Sequence, residues 1–298
     1  LHSAFFKTCG WLLFDVKNDY DCWKELLISK AKAIENNSNY ITVDVAIITA
    51  LEDTELEELL KLNPNNSSFF IDGYKYYFYE ITTAKGLRRR IVSAAAEKMG
   101  VTWSSQVATR VIEKFKPKML LMTGICAGVA GKTTLGDVII GDPVWDWGAG
   151  KIAEDESGKV IFLPDPHQLD LNRKVRESFR AISQDKAFLQ SLVLSWKRND
   201  ITVIPQIKIA PMACGSSVIA TQATVADIVE KHRKVTAIEM ESYAIMATAA
   251  SYDIYGAVIK SVCDMGDKHK ADDIQNYCAY TSASVAMNFI INKLDDLI

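Results

Sequence analysis

Histidine is scarce in this sequence, with four in 298 residues, and the six cysteines (Cys9, Cys22, Cys126, Cys214, Cys263, Cys278) contain no CxxC pair. Zinc sites need closely spaced ligands and disulfide scaffolds need paired thiols, so neither is indicated. Buried free thiols in a reducing cytoplasm are expected instead, with no metal and no cofactor. Nor does one sign of charge dominate: 34 Lys and Arg stand against 37 Asp and Glu, a net charge of −3. Proteins that bind nucleic acid or anionic membranes carry a basic face, and here the one basic run is Arg88-Arg89-Arg90. No nucleic-acid or membrane partner is expected. No apolar run approaches the ~20 residues that cross a bilayer, and the N-terminus has no signal-peptide layout. The chain starts at Leu1 instead of Met, as a piece of a longer protein would.

What is present is the composition of a globular chain with a sizeable core, 49% hydrophobic and 24% charged. One stretch, "LLMTGICAGVAGKTTLGDVIIGDPVWDW", ends a small-residue run with Gly131-Lys132-Thr133, like the end of a nucleoside-triphosphate P-loop. A P-loop needs a glycine five places before Gly131 and a helix after the Lys-Thr pair. Position 126 is Cys126, and the β-branched run Val138-Ile139-Ile140 follows, so an ATPase P-loop is rejected. Lys132 reads as a surface turn residue.

Residues 1–40 differ from the rest. A strand-like run, Trp11 to Phe14, leads to a helix-like stretch, Asp21 to Ile34, and the polar linker "ENNSN". They read either as an N-terminal extension or as the tail of an upstream, signalling or receiver-like domain. From residue 41 to 298 strands and helices alternate. "VDVAIITAL" is an almost continuous apolar strand, as in a sheet covered on both faces, while "YKYYFYEIT" and "RRRIVSAAA" alternate as an antiparallel or edge portion would. A helix is expected from Thr102 to Phe115, stopping at Lys116-Pro117, before the buried strand "KMLLMTG" and a small-residue loop, Thr123 to Gly128. Later come a helical, polar region from His167 to Asn199, the strand "IPQIKIAPMACG", a short helix from Ala223 to His232, the strands "VTAIEME" and "YGAVIKSVCDM", and a last helix from Ile274 to Leu294. The fold class is three-layer α/β/α with a mixed, twisted central sheet.

Four segments place polar groups at the carboxyl ends of strands: "TALEDTE", "TGICAG", "AIEME" and "KSVCDMGD". In open α/β sheets those ends converge on one ligand-binding rim. Glu239 and Glu241 lie two apart in extended chain and share a face, and Met240 either points away or lines the site. Carboxylates beside an apolar side chain suit a sugar. Asp264, among apolar neighbours at a strand end, is placed to pass a proton to a leaving group. One acid for the departing group and one base for the incoming one suggest glycosidic cleavage, with Asp53 or Glu55 as the base.

Together "VDVAIITALED", "LLMTGICAG" with "LGDVIIGD", "APMACGSSVI", "AIEMESYAIMA" and "VIKSVCDMGDK" resemble, in order from about Val43 to the C-terminus, the nucleoside phosphorylase and nucleosidase superfamily. The resemblance is greatest to its methylthioadenosine/S-adenosylhomocysteine nucleosidase-like purine nucleosidases. It implies that Glu241 holds the ribose hydroxyls, that Met240 packs on the sugar, and that Asp264 protonates or hydrogen-bonds purine N7. It further implies that Val218 and Ile219 offer backbone groups to the purine edge, and that the loop carrying Gly124, Ile125 and Cys126 lies near the anomeric carbon. The enzyme so implied hydrolyses the N-glycosidic bond of a purine, most simply adenine, nucleoside or nucleotide, and family members are usually dimers or larger.

Three departures from the family's pattern qualify this. Lys260 stands where the nucleosidases carry an arginine, a point charge in place of a bidentate fork. Cys263 replaces the serine before the aspartate. "ALEDTE" carries one extra residue, leaving Asp53, favoured by register, and Glu55 as rival water activators. No arginine follows the first strand, which favours water over phosphate as nucleophile. The alternatives are a purine nucleoside phosphorylase, an adenine-nucleotide (ATP or AMP) nucleosidase of antiphage defence, and a non-catalytic purine-binding module. Elsewhere the bland readings prevail. Strand alternation sends Arg89 opposite to Arg88 and Arg90, which argues against a shared phosphate role for the three; Met246, Met265 and Met287 fill the core; Trp145 and Trp147 pack between sheet and loop more readily than they form a lid.

Overall fold

The structure, a computed structural model, describes residues 41–165, 167–196, 204–219, 221–266 and 272–298. The strand and helix expected in residues 1–40 lie outside them. The first strand, β1 (Val45–Thr49), is buried along its whole length. Its alternate residues serve two cores: Ala46 and Ile48 face one, Val45 and Ile47 the other. That is why the run reads as continuously apolar.

The elements after β1 are a π-helical turn (Glu52–Leu56), α1 (Glu57–Lys61), β2 (Ser67–Ile71), β3 (Tyr74–Thr82), β4 (Arg88–Ala95), α2 (Val101–Phe115), β5 (Met119–Gly128) and β6 (Val138–Asp146). A hairpin of β7 (Gly150–Glu154) and β8 (Val160–Pro164) follows, then β9 (Gln168–Leu169), α3 (Arg173–Ser183), α4 (Lys186–Ser195) and β10 (Ile207–Cys214). The chain closes with α5 (Gln222–Lys231), β11 (Ala237–Glu239), α6 (Ser242–Ser251), β12 (Tyr255–Asp264), α7 (Asp272–Asn292) and a short 3-10 turn (Leu294–Asp296).

Among the described residues the main sheet runs in the order β11-β10-β6-β12-β5-β1-β4-β3-β2, with β9 beside β6 and the curled end closed by a β11–β5 pairing. β4, β1, β5 and β12 are mutually parallel, whereas β6 meets β12, and β3 meets β4, in antiparallel sense. The sheet is mixed, as expected, with the aromatic strands at its edge. Helices α2 and α6 cover one face through Val107, Val111, Ile245 and Met246; α1, α3 and α7 cover the other through Leu59, Phe179 and Phe289. Among the described residues no helix is long and apolar enough to cross a membrane.

One expectation is corrected here. The small-residue "loop" from Thr123 to Gly128 is the second half of β5, still paired with β12 as far as Ala127. Its glycine and alanine permit close approach without breaking the strand. The hairpin of β7 and β8 forms a separate two-stranded sheet whose strands pair with each other and are largely solvent-facing. The remaining bland readings fit. Lys132 sits in the β5–β6 turn with Nζ on the carbonyls of Arg233 and Val235. Met246 and Met287 are core residues, and Trp145 is buried against His232. Arg89 turns inward to Asp295 (2.8 Å) and Asp44 (3.2 Å), tying the C-terminal turn to the sheet, while Arg88 and Arg90 are exposed.

Candidate active site

The carboxyl ends of β1, β5, β11 and β12 surround a cavity of about 290 Å³. Glu55, Ile125, Cys126, Glu239, Met240, Glu241, Cys263 and Asp264 all face it, as do Val218 and Ile219 from the segment after β10. Glu241 and Asp264, from segments 23 residues apart, therefore share one cavity.

Asp53 does not. The extra residue in "ALEDTE" is absorbed by the π-helical turn, in which Leu56 N donates to Leu51 O across five residues (3.0 Å). The turn leaves Asp53 exposed on the surface and carries Glu55 inward, 2% exposed. Simple register counting favours Asp53, and the π turn overturns it. The Glu55 carboxylate is fixed by backbone amides: Oε2 accepts from Ala50 N (2.7 Å) and Leu51 N (3.0 Å), and Oε1 from Ile125 N (2.8 Å). Gly124 is not a cavity residue but lies behind Glu55, its own N–H donating to Ser282 Oγ (3.1 Å).

Lys260 links the acids. Its side chain leaves the middle of β12 fully buried, and Nζ lies 3.2 Å from Glu241 Oε2, 3.8 Å from Glu239 Oε2 and 3.9 Å from Glu55 Oε1. Burial alone opposes the ammonium, but the charges of Glu55, Glu241 and Glu239 outweigh it and raise the Lys260 pKa. Burial also dominates for two of the acids. Desolvation raises Glu55 against the pull of Lys260, and raises Glu239 to about 7 with Glu241 adding repulsion. For both acids burial favours the protonated form more than the nearby ammonium favours the charged one.

Glu239 and Glu241 have different surroundings. Both Glu239 oxygens are used locally, accepting from Glu241 N (2.9 Å), Ser242 N (2.9 and 3.0 Å) and Ser242 Oγ (2.5 Å), so Glu239 fixes the start of α6. Its two oxygens are engaged within the chain, which corrects the expectation that it binds substrate directly. Glu241 is held by Lys260 through one oxygen and by Gly100 N through the other (2.9 Å). Gly100 has φ = 107°, a backbone region open chiefly to glycine, so this amide is aimed by a residue whose importance no sequence signal announced. Met240, half-buried, completes the wall as one of the two readings of "EME" required.

Asp264 ends β12 just past a bulge: Val262 pairs with Cys126 and Asp264 with Ala127, leaving Cys263 as the additional residue. Adjacent strand residues ordinarily point to opposite faces, but the bulge lets both Cys263 and Asp264 reach the cavity. Asp264 is half-buried, and Oδ1 accepts from Gly266 N (2.8 Å). The Cys263 thiol lies 3.6 Å from both Asp264 Oδ2 and Cys126 O, and burial raises its pKa. Met99, Ser217 and Gln275 also line the cavity and were not anticipated: Met99 and Gln275 stand at a helix start with no motif to mark them. Among the described residues no group of three or more His, Cys, Asp or Glu is arranged to hold a metal ion.

Comparison with known proteins places this geometry in a family. Residues 44–290 match the family model described as the Phosphorylase superfamily. The uncharacterized protein y4jS of Sinorhizobium fredii is 35% identical over 97% of this chain and 74% of its own length. The 5'-methylthioadenosine/S-adenosylhomocysteine nucleosidase of Maridesulfovibrio salexigens is 23% identical over 85% of the chain and 99% of its own length. The ATP nucleosidase Cap17 of Escherichia coli is 24% identical over 84% of the chain, which spans 51% of that protein. Among solved structures, futalosine hydrolase of Helicobacter pylori superposes with a TM-score of 0.65 over 86% of this chain and 99% of its own, at 15% identity. The match from residue 44 to residue 290 takes in every cavity residue described above: this chain belongs to the phosphorylase superfamily.

Proposed function

We propose that this protein is a hydrolase that cleaves the N-glycosidic bond of an adenine nucleoside, releasing free base and ribose. The observation that carries the reading is the convergence of Glu55, Glu241 and Asp264 on one cavity, with a buried ammonium joining the first two. Glu241, steadied by Lys260 and the Gly100 amide, accepts hydrogen bonds from the ribose hydroxyls while Met240 covers the sugar. Val218 and Ile219 meet the purine edge. As the bond from C1′ to N9 breaks, its electron pair moves into the purine and Asp264 supplies a proton or hydrogen bond at N7. Glu55 takes a proton from the water that attacks C1′, and the acidic wall stabilises the cationic sugar in between.

Water is favoured over phosphate by the wall itself. Among the described residues that line the cavity there is no Lys or Arg, and Lys260, buried behind the acids, is already within ion-pair distance of three carboxylates, so an incoming phosphate would face Glu55 and Glu241 without a free counter-charge. Relatives named as nucleosidases support the same choice. We further read the protein as a cytoplasmic homo-oligomer acting on a small molecule. A nucleotide substrate, with a place in antiphage defence, is the second reading, favoured by the likeness to ATP nucleosidase Cap17.

The test is chromatography of free adenine after incubation with adenosine, methylthioadenosine, AMP and ATP, each with and without phosphate. Adenine release from the nucleosides without phosphate is expected. Release only with phosphate makes the protein a phosphorylase, release from AMP or ATP alone gives the second reading, and ligand-induced thermal stabilisation with no release at high protein concentration makes it a binding module.

A further inference from the structure

Residues 96–100 separate two depressions. On one side Met99 lines the cavity described above and Gly100 N holds Glu241. On the other, Ala96 and Glu97 line a cleft of about 540 Å³, bounded by the β2–β3 turn, the end of β4 and the outer side of α2. Nothing in the proposed reaction uses this cleft.

Its chemistry is defined by two donors without acceptors. The Tyr76 ring sits in the core, 1% exposed, against Phe115 and Phe69, yet its buried hydroxyl has no hydrogen-bond partner. The Arg110 guanidinium lies 3.2 Å from the centre of the Tyr74 ring, and its buried Nε likewise has no acceptor. Both side chains line this one cleft. A buried donor without an acceptor is costly, the more so when it is charged, so two together are an arrangement that a ligand would relieve. The carboxylates at the rim do not fill the need. Asp72 is bonded to Lys114, Glu97 sits 3.8 Å from the outer nitrogen of Arg110 instead of Nε, and Glu52 is on the Lys75 side. Tyr74 and the exposed Phe70 add aromatic surface.

We propose that this cleft is a second ligand site, taking an oxyanion, a phosphate or a carboxylate, against the Nε edge of Arg110 with the Tyr76 hydroxyl donating to it. The Nε–H of the guanidinium offers such a group one charge-assisted hydrogen bond. The aromatic surface beside it suits an oxyanion carried on a planar group.

Calorimetric titration with inorganic phosphate and with phenyl phosphate tests this on the intact chain. Wild type is expected to bind at least one of them, R110Q to lose roughly tenfold or more in affinity, and Y76F several-fold. Y76F removes one oxygen and keeps the ring in the core, so its effect is read without loss of fold. E241Q, in the other cavity, is expected to bind as wild type does. Tighter binding of phenyl phosphate assigns an aryl-bearing ligand, and equal binding assigns the free anion. Absence of binding to wild type overturns the proposal. So does binding retained in both R110Q and Y76F, or binding lost in E241Q alone, which puts the anion in the reaction cavity. Because the readout is binding, failure here leaves the nucleosidase reading standing, and the reverse holds.

Discussion

A Cβ added to Gly124 would stand 2.1 Å from Glu55 Oε1 and 2.5 Å from its carboxyl carbon, so the glycine in β5 and the glutamate in the π turn occupy interlocking space. No rotamer of a larger side chain relieves a clash made by Cβ itself. G124A is therefore expected to push the Glu55 carboxylate off the Ile125 amide and to lower kcat by ~10²-fold or more, with KM for adenosine little changed. Steady-state kinetics on a folded variant checks this, and wild-type kcat in G124A would remove Glu55 from the mechanism.

The two rival acids separate cleanly. E55Q is expected to lose ~10²–10⁴-fold in kcat, the usual worth of a positioned base, whereas D53N stays within about twofold of wild type because Asp53 is exposed and outside the cavity. Equal loss in both variants would contradict the placement.

Lys260 is expected to be structural as well as functional. K260M leaves three buried acids with no cation, and removing one partner of a buried ionic cluster costs ~3–5 kcal/mol, read as a fall in the urea midpoint. K260Q retains a donor near Glu241 and is expected to lose less.

Stability should depend on pH through the same cluster. Glu239, at about 7 in the folded chain against 4.5 ordinarily, binds more protons folded than unfolded between those values. Its contribution is full below 4.5 and is lost as pH rises through about 7, so Tm falls across that window. Lys260 is raised in the fold and stays charged throughout the window, so it does not reverse the sign. In E239Q the slope between pH 5 and about 7 should flatten. A wild-type Tm that rises across the window contradicts the retained proton.

Arg89 offers a control away from the site. R89M breaks the half-buried bonds to Asp295 and Asp44 and is expected to cost ~1–3 kcal/mol, while R88A stays within ~0.5 kcal/mol. Equilibrium unfolding distinguishes them.

Much of the site is legible in the chain because its parts follow local rules. A strand buried on both faces announces itself as "VDVAIITAL", and polar groups after such strands converge at the carboxyl rim, which is how Glu241 and Asp264 are found together; Val218 and Ile219 enter only through the family resemblance carried by "APMACGSSVI". Helix α2 begins within a residue of its expected start and ends at the Lys-Pro step.

What sequence by itself determined is the layered sheet, its strand ends and the residue types brought to one rim, since period-2 and period-3.6 patterns respond to burial near each residue. What only the tertiary structure decided is which acid enters and what each is bonded to. A π turn and a β-bulge each change the facing of the next side chains by a single inserted residue, favouring Glu55 over Asp53 and letting Cys263 and Asp264 share a cavity. Glu239 was spent on the start of α6, and Gly100 was drawn to Glu241, by contacts between segments more than a hundred residues apart in the second case. The contact between Gly100 and Glu241 depends on where a distant backbone amide falls once the sheet has formed, and no local pattern in the chain encodes that.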